Sequence, residues 1–134
     1  MMIDEDLQQR ISFSIRDFED DFVGWINMYA RNSRHGTFSF EISIFREYRR
    51  KGYAEDATRI LLRHGFHEPR MQKCNSGCRS DNIVSQRLHE KISFKQEGVQ
   101  RRCYFTNNRY YDQILYGLLK EEFEASDMMF QTGV

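Results

Sequence analysis

Apolar and polar residues alternate along three consecutive segments in the first third of the chain. The segments are residues 10–18, 22–30 and 37–45, and an acidic turn and the turn RNSRHG separate them. A period of two places successive side chains on opposite faces of a strand. The pattern therefore predicts three strands that form an antiparallel meander.

The period of the apolar residues changes after Gly52. From there they recur at steps of three and four as far as Gly65, which predicts an amphipathic helix. Pro69 marks the exit from that helix, and residues 70–78 are typical of a strand. The cap residues SDN at 80–82 predict a second helix, which carries an apolar side with Val84, Leu88 and Ile92.

The last third of the chain returns to strand patterns. Gly98 is predicted to separate residues 92–97 from a strand at 100–105, and the residues NNR at 107–109 form a turn into a strand-like run from 110. The end of the chain, 128–134, is predicted to fray. This order predicts one α+β (mixed α/β) domain over residues 1–134, with the third and fourth strands parallel and joined by a right-handed crossover.

Composition excludes several classes of protein. The 134 residues carry no formal net charge, so bulk charge does not favour a nucleic acid or a membrane as a partner. The chain lacks an apolar run long enough to span a membrane, and its first residues lack the pattern of a signal peptide. Three cysteines fit a reducing cytoplasm, and the spacing of Cys74 and Cys78 is too wide for a zinc CxxC pair. We therefore expect a cytoplasmic protein without a metal.

Positive charge is concentrated where the first helix begins. Arg49, Arg50 and Lys51 directly precede Gly52. A helix N-terminus already presents unpaired N–H groups and a positive dipole end, so further cations cost repulsion unless an anion binds there. Glycine lets the backbone approach such an anion closely. The segment predicts a site for a pyrophosphate-sized anion, although it matches neither GxxxxGK[ST] nor GxGxxG. The alternative is a solvated basic lead-in.

Three stretches of the sequence, in order, resemble one known family, and the last of them is YYDQILYGLLKEEF at 110–123, which is similar to the last strand and tail of a subgroup of that family. The pattern R-x-x-G-x-A at 49–54 resembles the acetyl-CoA pyrophosphate loop of the GNAT N-acetyltransferase superfamily. The stretch SDNIVSQRLHEKISFKQEG at 80–98 resembles the second cofactor segment of that family, in a subgroup similar to the ribosomal-protein N-terminal acetyltransferases. The resemblance extends over residues 22–123. It implies an acyl-CoA N-acyltransferase fold, with a mostly antiparallel sheet, a splayed parallel pair of strands and flanking helices.

The resemblance also implies which residues hold acetyl-CoA. The diphosphate of coenzyme A is expected at Arg49, Arg50, Lys51, Gly52, Tyr53 and Ala54. The pantetheine arm is expected along the backbone of Ile42, Ser43, Ile44 and Phe45, where an N–H would polarise the thioester carbonyl. Asn82 is expected to hydrogen-bond the same arm, and Ser85 lies at the position for contact with the sulfur.

The same resemblance suggests the groups that move protons. Ser85 or His89 would protonate the departing thiolate, and His89 occupies the place where many relatives keep a tyrosine. The subgroup often has a glutamate as base at the position that is Ser39 here, so Glu41, two residues on, is the candidate base. Each residue also has a structural alternative: Asn82 as a simple helix cap, Ser85 and His89 without catalytic roles, and Glu41 pointing away.

The chain departs from the family at its beginning. The family fold starts with a strand and two helices that wall the acceptor pocket, whereas only about nine residues precede Arg10 here. The sequence therefore leads to the expectation that those elements are lacking. A second subunit, in a homodimer, would supply the wall, and apolar residues of the early strands would favour such self-association.

Three hypotheses follow from the sequence. The first is an enzyme that transfers the acetyl group of acetyl-CoA to a primary amine, either a protein N-terminus or a small molecule, in a ternary complex without an acyl-enzyme. The second is a non-catalytic CoA-binding remnant that acts as an interaction or sensor domain. The third is a phosphate- or RNA-binding module that uses the basic turn with Tyr48 and Tyr53. Zero net charge argues against the third.

Overall fold

The computed structural model describes residues 10–132, which belong to two compact units. The first unit ends at Cys74 and the second begins at Asn75. The predicted absence of the family's first strand and two helices concerns the segment before Arg10, which lies outside the described residues.

The first unit contains three antiparallel strands and one long helix. The strands are β1 (Ile11–Arg16), β2 (Phe22–Asn32) and β3 (Thr37–Ile44), and helix α1 spans Tyr53–His67. Ile26 of β2 pairs with Phe13 on one side and with Ile42 on the other. The predicted meander is confirmed, and α1 extends two residues beyond the predicted end at Gly65.

Helix α1 packs closely on β2 and β3 because Gly65 lacks a side chain. A Cβ at Gly65 would lie 2.6 Å from the ring of Phe38 and 3.1 Å from Met28. The Phe38 ring also meets Phe66 edge to face, with centroids 5.0 Å apart. Burial of these apolar side chains stabilises the helix against the sheet.

Strand β4 (Lys73–Arg79) begins within the first unit. The N–H groups of Gln72 and Lys73 donate to the carbonyl oxygen of Gly36, at 2.7 and 3.1 Å. Gly36 directly precedes β3, so β3 and β4 start side by side, and the predicted parallel pair is confirmed. Helix α1 forms the crossover between them, as a parallel connection requires.

The second unit contains the remainder of β4, two further strands and two helices. These are α2 (Ile83–Ile92), β5 (Lys95–Thr106), β6 (Arg109–Leu119) and α3 (Lys120–Thr132), with strand order β4-β6-β5. Strands β5 and β6 form an antiparallel hairpin whose turn residues, Asn107 and Asn108, both adopt a positive φ. The chain is therefore a mixed α+β protein, as the sequence predicted.

Two sequence predictions in this unit are corrected. The break predicted at Gly98 is wrong, because β5 continues through that residue with only a shift of register between Gln96 and Gly98. The sequence also did not predict α3, which makes residues 128–132 helical where fraying was expected. In the first turn of this helix, Glu122 accepts a hydrogen bond from the N–H of Leu119 at 2.9 Å, which satisfies a backbone donor at the helix start.

Candidate functional site

The connection between β3 and α1 is folded back on the end of β3. A short 3-10 turn occupies Arg46–Tyr48, and the Nε of Arg49 donates to the carbonyl oxygen of Ile44 at 2.8 Å. Arg50 and Gly52 both have positive φ angles, of 66° and 82°. These contacts and turns hold the three cations at the start of α1, where the sequence predicted an anion site.

The N-terminus of α1 is open to a ligand. Gly52 is the N-cap residue, and the cap has no side-chain hydrogen bond. A Cβ added at Gly52 would meet no atom within 4 Å among the residues that the structure describes, so there is room beside the backbone at this position. Arg50 and Lys51 are exposed beside it. Unpaired N–H groups, the positive end of the helix and nearby cations together fit a diphosphate.

The last residues of β3 are held firmly on one side. Ile42, Ser43 and Ile44 pair with β2, and the N–H of Phe45 donates to the carbonyl oxygen of Val23 at 2.9 Å. The two strands approach closely at Gly24, where a Cβ would collide with the backbone oxygen of Ser43. The backbone proposed to pair with the pantetheine arm is therefore ordered by β2.

Glu41 of β3 has two side-chain partners, Asn27 of β2 and Arg10 just before β1. Its Oε1 accepts a hydrogen bond from Nδ2 of Asn27 at 3.0 Å and lies 3.4 Å from Nη1 of Arg10. Ser39 and Glu41 are both half-buried and alternate with the buried Phe38 and Phe40. The period-two expectation that Ser39 and Glu41 share a face agrees with this pattern. The side chain of Glu41 is 41% exposed, so its carboxylate is accessible as well as paired.

The N-terminus of α2 is capped by Asn82. Its Oδ1 accepts a hydrogen bond from the backbone N–H of Ser85 at 3.1 Å. Asn82 is exposed and Ser85 is half-buried. The capping role that the sequence left open is present, and it occupies only the oxygen of the side-chain amide.

His89 lies in a dense polar and aromatic cluster of the second unit. The side chain is 3% exposed, its ring stacks on Tyr116 with centroids 4.3 Å apart, and it meets Phe94 edge to face. Its Nε2 lies 2.8 Å from Oγ of Ser76, and its Nδ1 lies 2.7 Å from the carbonyl oxygen of Ser85. Burial lowers the pKa of His89, while the hydrogen bond to the carbonyl opposes that shift.

Sequence reasoning missed three members of this cluster. Ser76, Cys78 and Tyr116 surround the predicted pair Ser85 and His89, and burial raises the pKa of both Cys78 and Tyr116. Hydrogen bonds from Ser85 and Tyr116 partly oppose the shift at Cys78. The sequence offered one signal for Ser76 and Cys78: residues 74, 76 and 78 are spaced by two, which places their side chains on one face of β4.

Three carboxylates meet in the turn between β1 and β2. One oxygen each of Asp17, Glu19 and Asp21 lies within 4.8 Å of the others. The turn itself accounts for this grouping, because Oδ1 of Asp17 accepts the backbone N–H groups of Glu19 and Asp21, both at 2.9 Å. The expectation of a protein without a metal stays a prediction.

Comparison with known proteins gives one consistent result. The acetyltransferase (GNAT) domain family matches residues 1–95. The SPbeta prophage-derived uncharacterized N-acetyltransferase YokL of Bacillus subtilis is 37% identical over 125 residues, which cover 92% of this chain and 71% of YokL.

Solved structures give the same fold. The spermidine N-acetyltransferase of Vibrio cholerae in complex with CoA and spermine superposes with a TM-score of 0.80 at 23% identity, covering 86% of this chain and 68% of that one. A dodecameric structure of that enzyme gives 0.79 at 24% identity, covering 85% and 67%.

The chain belongs to the GNAT acetyltransferase family and has its mixed α+β fold. It is an acetyl-CoA-dependent acetyltransferase, as the resemblance in the sequence implied. Among the described residues, none of the helices is long and apolar enough to cross a membrane.

Proposed function

We propose that this protein transfers the acetyl group of acetyl-CoA to a primary amine by direct attack of the amine in a ternary complex. The observation that carries the proposal is the open N-terminus of α1. Gly52 leaves free space there, the helix cap is unoccupied by a side chain, and Arg50 and Lys51 are exposed beside it. A diphosphate is the part of coenzyme A that this arrangement fits.

The proposed contacts of the cosubstrate in the first unit follow the chain from β3 into α1. The backbone groups of residues 42–45 that do not bond to β2 would pair with the pantetheine amides, and the N–H of Phe45 is not one of them because it donates to Val23. Arg50, Lys51 and the N–H groups from Gly52 to Ala54 would bind the diphosphate. Arg49 has a double role, since its Nε holds the loop on Ile44 while its terminal nitrogens can donate to phosphate. As the family resemblance suggests, Asn82 would hydrogen-bond the pantetheine arm and Ser85 would contact the sulfur.

The cysteines of the chain support the direct route over an acyl-enzyme. Cys74 and Cys78 are buried, and burial raises the pKa of both thiols. A thiol with a raised pKa is a poor nucleophile because little thiolate is present at neutral pH. The third cysteine, Cys103, is exposed, so burial disfavours an acyl-enzyme at Cys74 and Cys78 only. In the proposed direct route the amine attacks the thioester itself, and an amine is protonated at neutral pH until a base removes its proton.

Glu41 is the first candidate for that base. Asn27 and Arg10 hold its carboxylate in place, and almost half of the side chain stays accessible. Ser85 is the first candidate for the acid that protonates the thiolate. Loss of turnover with retained acetyl-CoA binding in Glu41→Gln and in Ser85→Ala would support these two roles.

We propose a primary amine as the acceptor, and two classes of amine are to be compared. The relative solved with spermine acts on a polyamine, whereas the sequence resembles enzymes that act on protein N-termini. A panel that contains spermidine, spermine and short peptides with free N-termini separates these two classes of acceptor by the rate at which CoA thiol is released.

Binding and turnover are tested separately. Acetyl-CoA and CoA should raise the melting temperature whereas ATP should not, and Gly52→Asp should abolish the shift by placing a carboxylate in the proposed diphosphate space. Gly98→Asp controls for an added carboxylate, because a Cβ there meets Leu115 at 3.9 Å, and Gly52→Asn controls for the backbone strain of a side chain at φ 82° without the negative charge. A shift with acetyl-CoA but no thiol release across the panel would favour the non-catalytic remnant. The absence of any shift would overturn the proposal.

Self-association into a homodimer is also proposed. An apolar groove of about 490 Å³ lies between β1 and α1 in the first unit, and Phe13 and Ile60 on its walls are 39% and 61% exposed. A second copy of the chain would remove this surface from water. The dodecameric structure of the Vibrio cholerae relative supports self-association of this chain. Light scattering after gel filtration tests the proposal, and a monomer at micromolar concentration would contradict it.

A cytoplasmic location is proposed from the cysteines alone. Cys74, Cys78 and Cys103 are all free thiols. Free thiols are stable in a reducing compartment. Thiol labelling of the protein extracted from cells tests this proposal, and oxidised Cys103 would contradict it.

A further inference from the structure

The hydrogen bonds of His89 select one tautomer of its ring. The carbonyl oxygen of Ser85 can only accept, so Nδ1 at 2.7 Å must carry the proton. In the neutral ring Nε2 then carries a lone pair, and the hydroxyl of Ser76 at 2.8 Å must donate to it. Ser76 therefore points its proton at His89 and keeps its own oxygen lone pairs for another partner.

Burial differs between these two residues. His89 is 3% exposed, and Tyr116 and Phe94 cover its ring on two sides. Ser76 on β4 is only half-buried. Ser76 is therefore the member of the pair that a substrate could reach.

Other titratable groups lie on three elements that contact α2. Tyr116 of β6 stacks on the ring, and Cys78 lies on β4 two residues beyond Ser76. Helix α3 also packs against α2 and carries the buried Asp127, which accepts a hydrogen bond from Gln131. Desolvation lowers the pKa of His89, and the hydrogen bond to the Ser85 carbonyl opposes that shift.

We propose that Ser76 and His89 form a proton-transfer dyad in which the Ser76 hydroxyl contacts the acceptor amine and His89 holds the transferred proton. This inference rests on the proposed acetyl transfer and extends it by a base that neither the sequence nor the family assignment supplied. In this pair the serine hydroxyl passes protons to a neutral imidazole, and the serine forms no covalent bond to the acetyl group.

The proton transfers balance without a further reactant. The ammonium group of the acceptor gives a proton to Oγ of Ser76 while Ser76 gives its own proton to Nε2 of His89. The free amine attacks the thioester carbonyl and forms the new C–N bond, and the C–S bond breaks. The stored proton returns from His89 through Ser76 to the thiolate, and the second proton of the amine leaves to water.

The selected tautomer also affects the predicted role of His89 as an acid. In the neutral ring Nε2 has no proton to give, and the proton on Nδ1 is directed at the Ser85 carbonyl. His89 can therefore donate only after it has first accepted a proton. The dyad supplies that step, and it makes His89 a positioning and storage residue behind Ser76.

The test combines variants of Ser76 with a direct measurement on the ring. Ser76→Ala should lower kcat by about 10²-fold and change the KM for acetyl-CoA by less than about threefold. Ser76→Thr keeps the hydroxyl and should therefore retain most of the wild-type kcat. Ser12→Ala, on the exposed face of β1, is the control and should behave as wild type. Nitrogen-15 NMR of the unliganded protein should show the Nδ1–H tautomer of His89.

A double variant separates one shared proton path from two independent side-chain effects. Ser76→Ala and His89→Gln should not be additive in kcat, since they interrupt the same path. If wild type turns over and Ser76→Ala keeps full kcat and an unchanged pH profile, or if the NMR spectrum shows the Nε2–H tautomer, the dyad is wrong. If wild type binds acetyl-CoA but acetylates none of the amines, the proposed function fails and the dyad fails with it.

Discussion

The Nε atom of Arg49 donates a hydrogen bond of 2.8 Å to the carbonyl oxygen of Ile44, which ties the basic loop to the last residue of β3. The two segments proposed to bind the diphosphate and the pantetheine arm are therefore connected by one side chain. A guanidinium can make this bond and still present two terminal nitrogens to an anion, whereas a lysine ammonium cannot reproduce that planar arrangement.

We predict that Arg49→Lys weakens acetyl-CoA binding more than Lys51→Ala does. The substitution removes the Nε donor and with it the link to Ile44. Lys51 is exposed, and its Nζ lies 5.7 Å from the centroid of the Tyr48 ring. We expect a loss of about tenfold for Arg49→Lys and about threefold for Lys51→Ala, since a charge-assisted bond is worth roughly twice a neutral one. Calorimetric titration with acetyl-CoA measures both, and equal losses would contradict the linking role.

Substitutions of Asn82 can separate capping from binding. Asn82→Asp keeps an oxygen to accept the Ser85 N–H, so the free energy of unfolding should change little. Asn82→Ala should cost about 1 kcal/mol because it removes the cap. If the side-chain NH2 group binds acetyl-CoA, affinity should fall in both variants. Chemical denaturation and titration measure the two effects, and wild-type affinity in Asn82→Asp would leave the residue as a cap alone.

Glu41→Gln tests the first candidate base. The amide keeps the shape of the carboxylate but cannot take a proton, so kcat should fall by about 10²-fold while the melting temperature stays close to wild type. Glu19→Gln, in the exposed turn between β1 and β2, is the matched control. Full turnover in Glu41→Gln would exclude Glu41, and the Ser76–His89 dyad would then be the sole base proposed.

The lowered pKa of His89 predicts how stability depends on pH. Below the ordinary pKa of about 6.5 the unfolded chain protonates this histidine while the buried ring resists, so the unfolded state binds more protons. Stability should therefore fall as pH decreases below about 6.5, and His89 should contribute no pH dependence well above it. Urea unfolding of wild type and His89→Gln at about pH 7.5 and about pH 5.5 measures the difference, and the variant should lose less stability on acidification.

That prediction has a clear control within the chain. His35 lies in the exposed turn before β3, so His35→Gln should follow the pH dependence of wild type. A parallel response in His35→Gln and His89→Gln would contradict a specific role of the buried ring.

Much of the fold could be predicted from local pattern. Period-two alternation predicted β1 to β3, and the change of period at Gly52 predicted α1, because both patterns record which face of an element is buried. Helix α3 was not predicted because no glycine or proline separates the strand-like run that ends at Leu119 from the charged residues that begin the helix at Lys120. The register shift at Gly98 was predicted as a break between strands, because a glycine in a strand can mark a bulge as readily as a turn.

The sequence by itself determined the family, the order of the elements as far as β6 and the place of the basic loop, since these depend on residue types at short spacings. Only the tertiary structure decided which side chains meet: Arg49 with Ile44, Asn27 with Glu41, and Ser76 with His89. The partners in the last two pairs are more than ten residues apart and lie on different elements. Their contact depends on strand register and helix packing, which local pattern does not encode.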